Sequence, residues 1–176
     1  MKFLATILDR DGTIIRHVPY LADPIQVELL DNACLGISAL RKLTPIVVVC
    51  SNQSAIGRGY CSRDDVLSVN FRMNELLEKN SSYVDEIIFC PHAPEENCEC
   101  RKPRPGMGVQ VAKHFGIPTE QMVVIGDMES DVEFARSLGA LSVIIRNDPG
   151  TMESSESKAD IVATDLLDAA IKIEHL

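Results

Sequence analysis

The sequence predicts an α/β fold of three layers, with helices covering both faces of a doubly wound, mostly parallel sheet. Three observations lead there. Apolar runs rich in β-branched residues, at Phe3–Leu8, Ile46–Cys50, Val84–Phe89, Met122–Ile125 and Leu141–Ile145, alternate with stretches of helical periodicity. That order gives βαβ units with right-handed crossovers. A run such as Ile46–Cys50 is continuously apolar, as expected of a strand buried on both faces. Polar clusters then follow four of the runs: Asp9 with Asp11, Ser51 with Asn52, Cys90 with His92, and Asp127. The strands of a parallel sheet all end on one edge, so these distant residues converge where open α/β sheets hold their ligands.

Taking the chain in order, Phe3–Leu8 stops abruptly at Asp9-Arg10-Asp11-Gly12-Thr13. Gly12 permits a tight backbone path, but DG is also a common turn dipeptide. Alone, the stretch reads either as a ligand site or as an acidic turn. Pro19 and Pro24 make Arg16–Leu30 an irregular excursion. A helix is expected over Ala33–Leu43 with Asp31 or Asn32 as N-cap. After the second strand come Ser51-Asn52-Gln53-Ser54 and a loop with Gly57 and Gly59 around Arg58. Ser62 with Asp65 resembles a capping pair for a helix to about Lys79. The third strand leads into a Pro- and Cys-rich loop, about 90–105, and Gly106–Phe115 is a helix stopped by Gly116. A helix over Ser130–Leu138 closes at Gly139, and the segment Asn147–Lys158 is polar and expected to be mobile. Ile161–Ala163 and a helix from about Asp165 complete a single domain spanning residues 1–176.

Composition narrows the function. With a formal net charge of −9, the chain is a poor general partner for nucleic acid. An anionic ligand must be drawn in by a local cationic cluster or a metal. No apolar stretch approaches the ~20 residues needed to span a bilayer, and no secretory leader is recognised. A cytoplasmic protein is expected. In a reducing compartment, clustered cysteines more often bind metal than pair as disulfides. Of the six cysteines, Cys34 and Cys50 read as small core residues and Cys61 has no evident role.

Three carboxylates (Asp9, Asp11, Asp127), the Ser51 hydroxyl and Lys102 form a recognisable donor set. Oxygen ligands suit a hard divalent cation such as Mg2+, and the cation with Lys102 and Ser51 can neutralise and orient a phosphoryl group. A remaining carboxylate can be a nucleophile and another a general acid and base. Lys102 alone also reads as a solvated charge; the run Arg101-Lys102-Pro103-Arg104-Pro105 in an acidic chain favours anion binding. Cys90, His92, Cys98 and Cys100 form a C-x-H-x5-C-x-C array, four ligands that fit a closed tetrahedral zinc site. A disulfide or unliganded thiols are the alternatives.

DRDGT, VVVCSNQ, CRKPRPG and VIGDMESD resemble, in order, the four motifs of haloacid dehalogenase-like phosphatases, over roughly Phe3 to Arg146. The finer pattern is similar to the branch containing the D-glycero-D-manno-heptose 1,7-bisphosphate phosphatases, with the histidinol-phosphate phosphatases as near relatives. The resemblance implies a Rossmann-like, haloacid dehalogenase-type fold acting through an aspartyl-phosphate. Asp9 would be the nucleophile and Asp11 the acid and base, while Ser51 and Lys102 would hold the phosphoryl oxygens. Mg2+ would sit on Asp9, the Asp11 backbone carbonyl and Asp127. Asp131 either supports that shell or is an ordinary first-turn acid. Substrate contacts would fall on His17, Val18, Pro19, Tyr20, Asn52, Gln53, Ser54 and Arg101. In the heptose branch a zinc-bound loop recurs, which implies a structural zinc on the Cys/His array, pinning the loop that carries Arg101 and Lys102.

No long insertion separates Asp11 from Ser51 or Ser51 from Lys102, so no large cap domain is expected. An open site suits a polar substrate, a small phosphorylated sugar or polyol, and a monomer is expected. A second phosphate would need its own cations, for which Arg58, Arg101 and Arg104 are candidates. Two features depart from the heptose branch. Met128 stands where those enzymes often carry a Lys, and the short spacing between His92 and Cys98 is similar to the histidinol-phosphate branch. The heptose bisphosphate leads, histidinol phosphate follows, and a catalytically silent binding module is the reading from outside enzymology.

Overall fold

Alternation along the first strand decides how the molecule is layered. In β1 (Ala5–Leu8), Leu8 faces one core and Ala5 and Ile7 face the other, because successive side chains of a strand point to opposite faces. β2 (Ile46–Asn52) repeats the pattern with Val47 and Val49 against Val48 and Cys50. β3 (Glu86–Cys90), β4 (Met122–Gly126), β5 (Leu141–Ile145) and β6 (Ile161–Ala163) complete a six-stranded sheet in the order β3-β2-β1-β4-β5-β6. Every pairing is parallel. The computed structural model describes residues 2–146 and 157–176, so the expectation of a mobile segment at Asn147–Lys158 lies outside the described residues except for its last two positions.

Helices α1 (Ala33–Leu43), α2 (Arg63–Lys79) and α5 (Leu166–Glu174) bury one stripe each in the first core, while α3 (Gly106–Phe115) and α4 (Glu129–Leu138) cover the other face. The chain winds outward from β1 to β3, then resumes at β4 on the other side of β1 and winds the opposite way. The switch point therefore lies between β1 and β4, where such sheets open a crevice. Leu8 sits level with Val49 and Ile125, which brings Asp9, Ser51 and Asp127 to one edge of the sheet. Among the described residues no large cap interrupts this plan, and no helix is long and apolar enough to cross a membrane.

Local chemistry explains where element ends fall. Ser62 and Asp65 form the expected capping box: the Asp65 amide donates to Ser62 Oγ (3.1 Å) and the Ser62 amide to Asp65 Oδ2 (2.7 Å). At α1 the residue in the cap position is Asn32, but its side chain does not cap. It lies in the left-handed region (φ 59°), and its amide donates to Asp165 Oδ2 at 2.7 Å, joining the starts of α1 and α5. β3 begins at Glu86 and not Val84, because the Asp85 carboxylate accepts from the Val47 amide (2.7 Å) and from Arg41 (2.8 Å), standing in for a ladder bond.

Gly36 is where α1 meets α5. A Cβ there would lie 2.4 Å from Leu166 Cβ and 2.5 Å from Leu166 C. In an open helix, Gly→Ala gains roughly 0.5–1 kcal/mol; overpacking costs about 1–3 kcal/mol. The backbone neighbour cannot yield, so the second effect wins. Gly36→Ala is expected to lower the unfolding free energy by about 1–2 kcal/mol in urea titrations; a stabilised variant would contradict this packing.

Candidate active site

Asp9 follows directly on β1, and its amide donates to the Ile125 carbonyl (2.8 Å), so the residue past the strand end is still held by β4. Its Oδ1 accepts from Lys102 Nζ at 2.6 Å. The same ammonium donates to Asp131 Oδ1 and to the Cys50 carbonyl, each at 2.7 Å. Lys102 is 4% exposed. Burial works against its charge, but Asp9 and Asp131 outweigh burial and raise its pKa, so it stays an ammonium. Burial pushes the Asp9 carboxyl up to about 7, with Lys102 opposing and Asp131 adding to the rise. Burial, then the Asp131 charge, pushes Asp127 up to about 6.

Oxygens of Asp9, Asp127 and Asp131 come within 4.8 Å of one another. Asp127 Oδ1 is buried and has no hydrogen-bond partner, which is costly unless a ligand meets it. Lys102 occupies a single oxygen of Asp9. Three facing carboxylates with one ammonium leave an excess of negative charge, and the set fits a hard divalent cation. Gly12 (φ +84°) lets the loop pass against Asp127: a Cβ would sit 2.2 Å from Asp127 Oδ2. Asp131 is 2% exposed; its Oδ1 accepts from Lys102 and its Oδ2 from the Met128 amide (3.2 Å), so one carboxylate faces the cluster and caps the first turn of α4 at once.

Asp11 stands beside this cluster and is held by two side chains, Gln53 and Arg10. Gln53 Nε2 donates to Asp11 Oδ2 (2.8 Å) and to Ser51 Oγ (2.7 Å). The buried Arg10 guanidinium also reaches Asp11, with Nη2 3.0 Å from Oδ2, and donates through Nη1 to Asn70 of α2 at 2.7 Å. Sequence reasoning assigned no role to Arg10 or Asn70. The one sequence signal is an arginine between the two motif aspartates, Asp9 and Asp11. Asn52 lines the cleft, and its side-chain amide is also engaged by the protein. It brackets the Lys102 backbone, donating to its carbonyl (3.1 Å) and accepting from its amide (3.0 Å).

The Cys/His array gathers in the loop after β3. The sulfurs of Cys90, Cys98 and Cys100 lie 3.2–3.5 Å apart, and His92 Nδ1 lies 3.2 Å from Cys100 Sγ. A disulfide needs about 2.05 Å, so the disulfide alternative fails, and the four donors fit a tetrahedral metal site. The loop is fastened to the cleft: the Gln53 amide donates to the Cys90 carbonyl and the Gly57 amide to the Pro91 carbonyl, both at 2.8 Å.

The carboxylate cluster, with Arg10, Ser51 and Lys102, lines a cleft of about 600 Å3. The structure brings into it Asp9, Asp11, Ser51, Lys102, Asp127 and Asp131, together with His17 to Tyr20, Asn52 to Ser54, Arg101 and Met128. Arg101 carries a buried Nη1 with no partner, a cationic counterpart to the orphaned Asp127 oxygen. Arg58 and Arg104 are not brought into it. Arg58 lies 3.7 Å from Glu95, and Arg104 bonds the carbonyls of Asn97 and Cys98, so both brace the Cys/His loop. A groove of about 650 Å3 beside Ile25 and Phe71 is mainly apolar, and its charged residues, Arg72 and Glu75, pair with each other. Converging polar groups, and not volume, distinguish the cleft.

Comparison with known proteins agrees with this geometry. Residues 99–169 match the family model described as "HAD-hyrolase-like". The D-glycero-beta-D-manno-heptose-1,7-bisphosphate 7-phosphatase of Pseudomonas putida is 34% identical over 169 residues, 94% of this chain and 95% of its own. The D-glycero-alpha-D-manno-heptose-1,7-bisphosphate 7-phosphatase of Mycobacterium tuberculosis is 32% identical over 96% of this chain and 90% of its own. Among solved structures, a D,D-heptose 1,7-bisphosphate phosphatase from B. bronchiseptica, complexed with magnesium and phosphate, superposes with a TM-score of 0.86. It is 26% identical and covers 98% of this chain and 99% of its own. The chain belongs to the haloacid dehalogenase-like phosphatases, the family of these heptose bisphosphate enzymes.

Proposed function

We propose that this phosphatase removes the 7-phosphate of D-glycero-D-manno-heptose 1,7-bisphosphate, as a cytoplasmic monomer. The observation that carries the chemistry is the buried Lys102 ammonium 2.6 Å from Asp9, a nucleophile kept beside a fixed positive charge. An Asp9 oxygen attacks phosphorus, and the ester oxygen leaves with a proton from Asp11. Asp11 then takes a proton from water, whose oxygen displaces phosphate from Asp9. Ser51 and Lys102 hold the phosphoryl oxygens, and Arg101, with an unpaired buried nitrogen, meets the substrate's anionic end. Mg2+ on Asp9, the Asp11 carbonyl and Asp127 would neutralise phosphoryl charge. The names of the relatives support the substrate. The short span between His92 and Cys98 favours histidinol phosphate as the second reading.

Rates on both anomers of the heptose bisphosphate, on its monophosphates and on histidinol phosphate discriminate these readings. The bisphosphate should be favoured in kcat/KM by about tenfold or more, a difference of roughly 1.4 kcal/mol in transition-state binding. Asp9→Asn should abolish turnover of every substrate. Faster hydrolysis of histidinol phosphate would reverse the substrate order, and an active Asp9→Asn enzyme would remove the nucleophile.

The pKa shifts give the metal a pH dependence. Asp9 (about 7) and Asp127 (about 6) hold protons below those values in the metal-free site, and a cation must displace them. Mg2+ affinity is therefore expected to rise at least about tenfold between pH 5.5 and 7.5 by titration calorimetry. Because both folded pKa values lie above the unfolded one, metal-free stability is expected to fall over the same pH rise.

The Cys/His array is proposed to hold a structural Zn2+, with all four positions supplied by protein. Thiolate ligands also need a reducing compartment, which supports the cytoplasm. Elemental analysis is expected to find about one zinc per chain. Cys98→Ser should lower zinc content, unfolding midpoint and activity together. A zinc-free chain of full stability would refute the assignment.

A further inference from the structure

We infer that Arg10, anchored by Asn70 of α2, is a positioning residue that sets the Asp11 carboxylate for its proton transfers. Arg10 is 1% exposed, an unusual fate for an arginine unless its guanidinium is fully employed. Its Nη1 donates to Asn70 Oδ1 at 2.7 Å. Its Nε donates to Asp11 Oδ2 at 3.1 Å and its Nη2 to Oδ1 at 3.2 Å. The planar fork thus meets both carboxylate oxygens, a geometry that fixes the plane of the acid and not only its charge.

The need for such a device follows from where Asp11 stands. Asp9 is fixed by a strand ladder and by Lys102, whereas Asp11 lies beyond the strand, next to Gly12 at φ +84°. A carboxylate there turns about χ1 and χ2 unless it is gripped. Gln53 grips one oxygen from the β2 side, at 2.8 Å. Arg10 is the second grip, from the side of α2. An arginine side chain carries about 2 kcal/mol of rotamer entropy, and Asn70, 6% exposed on a long helix, removes that freedom. Proton transfer requires heavy atoms within about 2.6–3.2 Å, so loosening Asp11 slows the step that depends on it most.

This inference rests on the proposed acid–base role of Asp11 and is tested so that the two fail separately. Leaving-group release is measured in single turnovers with an alkyl phosphate, whose leaving oxygen needs a proton, and with 4-nitrophenyl phosphate, whose leaving oxygen does not. Asn70→Ala is expected to slow release from the alkyl ester about tenfold, part of the 10²–10⁴ that general acid catalysis supplies. The loss on the nitrophenyl ester should be several times smaller, with KM little changed on both. Asn70→Asp keeps an acceptor for Arg10 and should restore most of the alkyl-ester rate, which a fold merely damaged at this position would not show. Equal losses on the two esters, no loss on either, or no rescue by Asn70→Asp would overturn the inference. If Asp11→Asn discriminates between the esters and Asn70→Ala does not, the role of Asp11 stands and that of Arg10 falls. If Asp11→Asn does not discriminate, both fall.

Discussion

One buried ammonium holds the business end of this molecule together. Lys102 Nζ bonds a carboxylate at the end of β1, a carbonyl near the end of β2 and a carboxylate in the first turn of α4, all within 2.7 Å. Each ion loses several kcal/mol of hydration on burial, and the arrangement is tolerable because one cation faces two anions at hydrogen-bonding distance. Taking the cation away would leave two carboxylates facing each other in a dry site, a change on the order of 3–5 kcal/mol. The same contact serves chemistry. It favours the ionised form that the proposed nucleophile Asp9 needs, against a burial that pushes its carboxyl up to about 7.

Lys102 reaches that position from a loop with little regular structure, so the loop itself must be held. Three ties do this. The Asn52 amide brackets the Lys102 backbone, the Gln53 amide bonds the Cys90 carbonyl, and the Cys90, His92, Cys98, Cys100 donors close on a common point. Two metal-fitting sets of opposite character thus share one sheet edge, all-carboxylate at the switch point and thiolate–imidazole beside β2. Hard and soft ligands do not compete for the same ion, so the two sites stay chemically distinct although loop 51–54 touches both.

Most of the fold and the centre of the site are readable from residues, for a physical reason. Buried parallel strands need unbroken apolar runs, and polar residues just after them have no core to enter, so Asp9, Ser51 and Asp127 stand out. Lys102 stands out because it lies in a basic run of an acidic chain. What stayed hidden is partner choice across long sequence separations. Asn52 looks free to bind a substrate, yet its amide is also engaged by a backbone 50 residues away. Arg58 and Arg104 look like anion contacts, yet nearer acceptors in the Cys/His loop claim them. Asn70 lies within a helix 60 residues from Arg10, and no periodicity marks it. Asn32 occupies the predicted cap position but bonds Asp165 instead.

Because every strand runs the same way, the molecule has a working edge and an idle one. The idle edge carries the turns that lead into β2, β4 and β5, at Thr44-Pro45, Ile117 to Gln121, and Gly139-Ala140. None of them contributes to the cleft. For anyone wishing to immobilise, label or fuse this phosphatase, that edge is the natural handle. An attachment there leaves substrate a clear approach from the opposite side, and the six-stranded sheet stands between the modification and the reaction.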